Sequence, residues 1–152
     1  MKPLSDRIAV ITGASAGIGE SIARSIAAAG AKVVVNARRE ERLHALVRDL
    51  GGPTNAAAVA GDAADESVIQ AMLDVAKHSF GGGSGGREAD LVVVNAGRGL
   101  RGSVYDSDST QWESVIRVNL LGAARLMRAA AERMAGTVPV VKGAPPSQPP
   151  LP

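Results

Sequence analysis

Behind the apolar residues 8–11 the chain reads TGASAGIG (residues 12–19), which carries Gly13, Gly17 and Gly19 within eight residues. The next stretch is helical: Ile18, Ile22 and Ile26 recur at every fourth position and form one stripe. Gly30 suits the left-handed residue just past that helix. Val33, Val34 and Val35 then give a second strand, continuous and β-branched, as a strand buried on both faces requires. A strand that turns through glycines into a helix and back into a strand is a parallel crossover, so the start of this chain demands a parallel sheet.

The same alternation continues. Leu43, Leu46, Val47 and Leu50 share one face of a charged helix that Gly51-Gly52-Pro53 stops. Residues 56–60 read as a weak third strand. Asp65 is placed to cap a helix with Val68, Ile69, Met72, Leu73 and Ala76 inward. GGGSGG (81–86) is a loop, and residues 91–94 are the clearest strand. Asp108 or Ser109 is placed to cap one long helix whose expected buried side is Trp112, Val115, Ile116, Ala123, Leu126, Met127 and Ala130. Thr137 and Val138 open a fifth-strand stub, but Pro139 lacks the amide proton a central strand needs. Six of the eight prolines fall in residues 139–152, which reads as a disordered tail.

Composition narrows the function. The 152 residues suit one domain, and with aromatics at 2% its core must be Val, Ile, Leu and Ala. The net charge of +2 comes without a Lys/Arg block, which argues against a nucleic-acid partner. There are no cysteines, so disulfides and thiolate metal sites are excluded. His44 and His78 stand alone in polar helical stretches and read as surface residues, so no metal site is expected. No run approaches membrane-spanning length and no apolar leader begins the chain; the expectation is a soluble, cytoplasmic protein without a membrane partner.

Two chemistries compete for the loop. Residues 13–17 fit G-x-S-x-G, the elbow that presents a nucleophilic serine, here Ser15. That reading needs an acid and a histidine, and Asp62 or Asp74 with His78 would keep the order. Only one strand precedes this elbow, whereas a hydrolase normally has several before it. In the other reading the loop cradles a dinucleotide pyrophosphate. Gly13 turns the chain off the strand, Gly17 admits the phosphates, and Gly19 allows close helix–strand packing. The helix N-terminus then offers unpaired amides and a positive dipole end.

The residues as a set resemble one family. TGASAGIG (12–19) looks like the TGxxxGxG fingerprint of short-chain dehydrogenases/reductases. NAG, residues Asn95, Ala96 and Gly97, resembles its second motif; RVNLLGA (117–123) resembles the segment with its helical asparagine, here Asn119. GDAAD (61–65) is similar to the segment that touches adenine. The resemblance runs from about residue 7 to residue 136. It implies an α/β fold, a Rossmann-type doubly wound parallel sheet, incomplete, in strand order 3-2-1-4 plus the fifth-strand stub. Residues 1–136 would be the dinucleotide-binding domain and 137–152 the stub and tail. It further implies that Gly13, Ser15, Ala16, Gly17, Ile18, Gly19, Asp62, Ala63, Asn95, Ala96 and Gly97 contact the cofactor. Thr12 would be structural, bonding toward the Asn95 turn.

Asn119 has a physical reading too. It falls three residues after Ile116 on the apolar stripe, where an unsatisfied amide costs about 1–3 kcal/mol, so it should have partners. The family role is catalytic: holding a water in a proton relay. A satisfied core amide is the other reading.

The cofactor follows from the end of the second strand. NAD-binding members carry an acid near Ala37; here Arg38 follows an alanine, and a guanidinium can fork onto a 2′-phosphate. The expectation is NADP(H) in preference to NAD(H), although Ala16 lacks the second basic residue of many NADP-preferring relatives. Alternatively, Arg38 and Arg39 pair with Glu40 and Glu41 on a solvated face. By family the substrate would be a small carbonyl or alcohol. The family's catalytic Y-x-x-x-K and its serine are missing: the one tyrosine, Tyr105, is followed four residues later by Ser109. The expectation is therefore an oxidoreductase portion cut off before its catalytic centre, inactive by itself and prone to self-association. The alternative is a non-catalytic dinucleotide-binding or interaction module.

Overall fold

In β1 (Ile8–Thr12) every residue is buried, and alternate residues serve opposite faces. Ile8 and Val10 join a core with Val34, Ile69, Met72, Leu73, Leu126, Ala129 and Ala130. Ala9 and Ile11 join a second core with Ala23, Val33, Val35, Leu43, Leu46 and Ala56. A strand buried on both sides needs helices on both sides, and the fold supplies them. The computed structural model describes residues 2–82, 86–100 and 102–136.

The elements alternate as the sequence requires: β1, α1 (Gly17–Ala28), β2 (Lys32–Ala37), α2 (Glu40–Asp49), β3 (Ala56–Ala60), α3 (Glu66–Phe80) and β4 (Leu91–Val93). The sheet is parallel in the order β3-β2-β1-β4. α1 and α2 pack on one face, α3 and the last helix (Ala123–Ala135) on the other. Gly30 takes the left-handed conformation behind α1 at φ 105°. At the amino ends of the strands, Asp90 accepts from the Ile8 amide at 3.0 Å and from Arg7 at 3.1 Å, which sets β4 beside β1. No helix among the described residues is long and apolar enough to cross a membrane. The fifth-strand stub and the proline-rich tail fall outside the described residues.

Several expectations need correction. The long helix after Asp108 is not continuous: α4 (Ser109–Ile116) passes into a π-helical turn (Arg117–Gly122) before α5 (Ala123–Ala135) begins. The extra residue re-phases the helix, so one 3.6-residue stripe cannot describe both halves. Leu126 and Ala130 are buried as expected, but Trp112, Ile116 and Met127 are 39%, 48% and 55% exposed. Ile18 is 74% exposed, because it stands in the first turn of α1 beyond the sheet's carboxyl edge while Ile22 and Ile26 reach the core. Asp65 holds the cap position of α3 without capping it; its carboxylate turns to Arg117 instead. Val94 lies outside β4, since the next two amides turn to the Thr12 side chain.

Candidate functional site

The carboxyl ends of β1 and β4 lie side by side, although β2 and β3 separate them in the chain. Open parallel sheets bind ligands at such reversals of strand order. Thr12, at the end of β1, pins this point. Its buried hydroxyl accepts from the Asn95 and Ala96 amides, both at 3.0 Å, and donates to the Val93 carbonyl at 3.4 Å. Asn95 answers by donating its side-chain amide to the Thr12 carbonyl at 3.1 Å.

The glycines of the loop have separate reasons. At Gly13 (φ 70°) a Cβ would stand 2.8 Å from the Asn95 amide nitrogen and 2.9 Å from Ala96 Cα. Gly19 starts the packed part of α1, where a Cβ would stand 2.3 Å from the Gly13 carbonyl oxygen. Gly17 (φ 59°) has open space around it, so its demand is conformational alone. Ala16 occupies the N-cap of α1 and has no side chain to cap with. The helix therefore presents first-turn amides and a positive dipole end that no side-chain oxygen satisfies, which is a cradle for an anion.

The second wall is the end of β2. Asn36 is fully buried and donates to the Val59 and Gly61 carbonyls at 2.9 and 3.3 Å. Its Oδ1 is buried without a partner among the described residues, and Asn36 lines the cleft. An orphaned acceptor there would be satisfied by a donor group of a ligand. Arg39 reaches across and donates to Ser15 Oγ at 3.0 Å. Ser15 therefore has an arginine partner and not the histidine that a G-x-S-x-G nucleophile requires. His44 stands beside Glu40, and His78 donates to the Asp74 carbonyl, both on exposed helix surfaces.

The third wall is the turn after β3. Burial works against the Asp62 carboxylate, but the Ala64 amide at 2.9 Å and the Arg117 guanidinium at 2.6 Å outweigh it. The more distant charge of Arg38 assists, and the pKa of Asp62 is held below the usual carboxylate range. Asn119 lies in the π-turn. Its Oδ1 accepts from the Arg98 amide and its Nδ2 donates to the Arg98 carbonyl, both at 2.9 Å. The partners expected for Asn119 are present, but the residue is exposed and not on a buried apolar stripe.

These walls enclose a cleft of about 450 Å³. Among the sequence-derived site residues, Gly13, Ser15, Ala16, Arg38, Asp62, Ala63, Ala96 and Gly97 line it. Gly17, Ile18, Gly19 and Asn95 do not. Gly19 and Asn95 hold the loop from behind, and Gly17 and Ile18 form its exposed lip. Asn119 meets the cleft wall at Arg98, which it holds by two hydrogen bonds, and lies against Gly97. Sequence reasoning missed Asn36, Arg39, Arg98 and Arg117 as parts of the site. An asparagine directly after three valines in a strand buried on both faces was the one signal, for Asn36.

A parallel sheet in the order β3-β2-β1-β4 with a glycine cradle at its strand-order reversal is a Rossmann-type α/β arrangement. The short chain dehydrogenase family model matches residues 7–141, and the chain belongs to that family. It is 35% identical over 129 residues to an uncharacterized oxidoreductase of Staphylococcus epidermidis, covering 85% of this chain and 53% of that protein. The structure is similar to L-sorbose reductase from Gluconobacter frateurii, solved with NADPH and L-sorbose: TM-score 0.76, 33% identity, 90% of this chain and 50% of that one. It is also similar to 3-ketoacyl-(acyl-carrier-protein) reductase from Brucella melitensis, solved with NADH: TM-score 0.79, 28% identity, 88% and 52% covered. The chain spans about half the length of the relatives it matches.

Proposed function

We propose that this chain is the NADP(H)-binding portion of a short-chain oxidoreductase that moves hydride between cofactor and a small carbonyl or alcohol. The observation that carries the cofactor choice is the end of β2. Ala37 leaves no carboxylate to repel a 2′-phosphate, and Arg38 lines the cleft with no carboxylate in ion-pair distance among the described residues. Relatives of this fold take either dinucleotide, as the NADPH and NADH complexes above illustrate, so the local charge must choose.

Gly13, Ser15, Ala16, Gly17, Ile18 and Gly19 would hold the pyrophosphate. Asp62 and Ala63 would flank adenine, and Asn95, Ala96 and Gly97 would pass close to the ribose. The nicotinamide, when bound, supplies the hydride. This chain's own residues bind and orient, but a proton must also reach the developing alkoxide. Tyr105 is fully exposed in the segment before α4, with Ser109 and not lysine four residues on. General acid help is worth about 10²–10⁴-fold, so the chain by itself binds cofactor without turnover.

Fluorescence titration tests this. Charge-assisted hydrogen bonds contribute about 1.5–3 kcal/mol, so NADPH should bind roughly 10–100-fold more tightly than NADH. Arg38→Asp should abolish or reverse that ratio. Equal affinities would refute the cofactor choice. Absorbance at the nicotinamide band with ketones, aldehydes and 3-oxoacyl thioesters should show no NADPH consumption. Turnover that survives Tyr105→Phe would refute the inactive state.

A further inference from the structure

The π-turn is fastened to the turn after β3 at three points. Arg117, its first residue, pairs with Asp62 at 2.6 Å and with Asp65. Gly122, its last residue, lies so close to Ala64 that a Cβ would stand 2.9 Å from that residue's Cα. Arg125, just beyond, donates to the Ala64 carbonyl at 2.9 Å. Between these anchors lies Asn119, whose amide grips both main-chain polar groups of Arg98. Asp62 and Arg98 both line the cleft, from different walls.

From this chain of contacts we infer that Arg117 is a positioning residue. It holds the π-turn open so that Asn119 faces Arg98, and it ties that orientation to the Asp62 side of the cleft. The inference rests on the cofactor reading above only for its second half. The physical reason is helical phase. A π-turn carries one residue more than the α-helical turn it replaces, and such turns persist where surrounding contacts hold them. If the turn relaxed to α-helix, the phase would change by one residue, about 100°, and Asn119 would leave Arg98. Arg117 is the group that opposes this, because its two carboxylate partners sit in the short connection between β3 and α3, Asp65 at the N-cap of α3. A ligand that orders Asp62 and Ala63 would therefore also order Asn119.

The test tracks the Asn119 side-chain amide by ¹⁵N NMR in the full chain, assigned through its loss in Asn119→Ser. Without cofactor, Arg117→Ala should move the two amide proton signals toward the free-amide position and speed their exchange with solvent, while far-UV circular dichroism stays unchanged. Arg117→Lys should restore them in part. In the unmodified chain, saturating NADPH should slow that exchange. Arg117→Ala should lose the response and weaken NADPH about 3- to 30-fold, the range of coupling through contiguous contacts. If Arg117→Ala does not fold, Asp65→Asn removes one of the two ion pairs and should give the same changes in smaller measure. A folded Arg117→Ala, or Asp65→Asn, with unchanged Asn119 signals overturns the inference. If NADPH fails to bind the unmodified chain, the cofactor reading falls, while the signals without cofactor still decide the role of Arg117.

Discussion

Asn119 closes on the main chain of Arg98 from both sides, accepting from its N–H and donating to its C=O at 2.9 Å each. The pair welds the π-turn to the segment that leaves the Asn95–Gly97 turn. Arg98 then reaches Ser114 in α4 with its guanidinium. One residue thus receives helical anchors through backbone and side chain alike. The packing is close at the preceding residue as well: a Cβ on Gly97 would stand 3.3 Å from Asn119 Oδ1.

Thr12 should matter through its hydroxyl and not through its bulk. Thr12→Val keeps the shape but leaves the Asn95 and Ala96 amides without their acceptor. Urea unfolding should show a loss of about 1–3 kcal/mol, with NADPH binding weakened. Thr12→Ser should lie close to the unmodified chain. A neutral Thr12→Val would contradict the pin.

The two α1 glycines should respond differently to alanine. Gly17→Ala meets nothing within 4 Å and pays only for a positive φ, about 1–2 kcal/mol. Gly19→Ala drives a methyl group against a backbone carbonyl that cannot swing aside, so it should cost more and also displace the Gly13 turn. Thermal melts compare them. Equal losses would mean that the close approach at Gly19 relaxes freely.

Asp62 predicts an acid limb in stability. Its folded pKa lies below the unfolded value, so the unfolded state takes the proton first. The stabilisation is complete above the unfolded pKa of about 3.9 and is lost as pH falls through the folded value. Urea midpoints measured from pH 6 down to pH 3 should fall less steeply in Asp62→Asn than in the unmodified chain. Identical slopes would remove Asp62 from the account.

Self-association is the expected solution behaviour. Among the described residues β4 is an edge of the sheet, with Val94 36% exposed just past it, and Leu120, Leu121 and Met127 add apolar surface on the neighbouring helices. Unpaired edges beside apolar patches recruit other chains. Light scattering should give an apparent mass that rises with concentration. A constant monomer mass would refute this.

The sheet was readable from the sequence because its signals are local. Val33, Val34 and Val35 can only be a strand buried on both faces. Residues 56–60, though weak in pattern, form β3 within the same bounds. Gly13, Gly17 and Gly19 mark the cradle because each answers a backbone demand that no other residue type meets as well. Ile18 misled for the complementary reason: periodicity reports which side of a helix faces inward, but not where along its length the core ends.

What only the tertiary structure decided is what distant side chains do with one another. Asp65 looks like a helix cap until Arg117, 52 residues away, offers a charged partner. The π-turn has no local signature in RVNLLG; it exists because Asp62, Asp65 and Ala64 hold it from another part of the chain. Arg39 pairs with Ser15 and not with its neighbouring acids because the parallel register sets the end of β2 beside the loop that leaves β1. The sequence by itself determined the strands, the cradle and the family, since hydrophobic period and glycine backbone freedom act within a few residues. The packing of the walls decided which polar groups meet, because the strength of an ion pair or a hydrogen bond depends on distance in space, which the order of residues does not state.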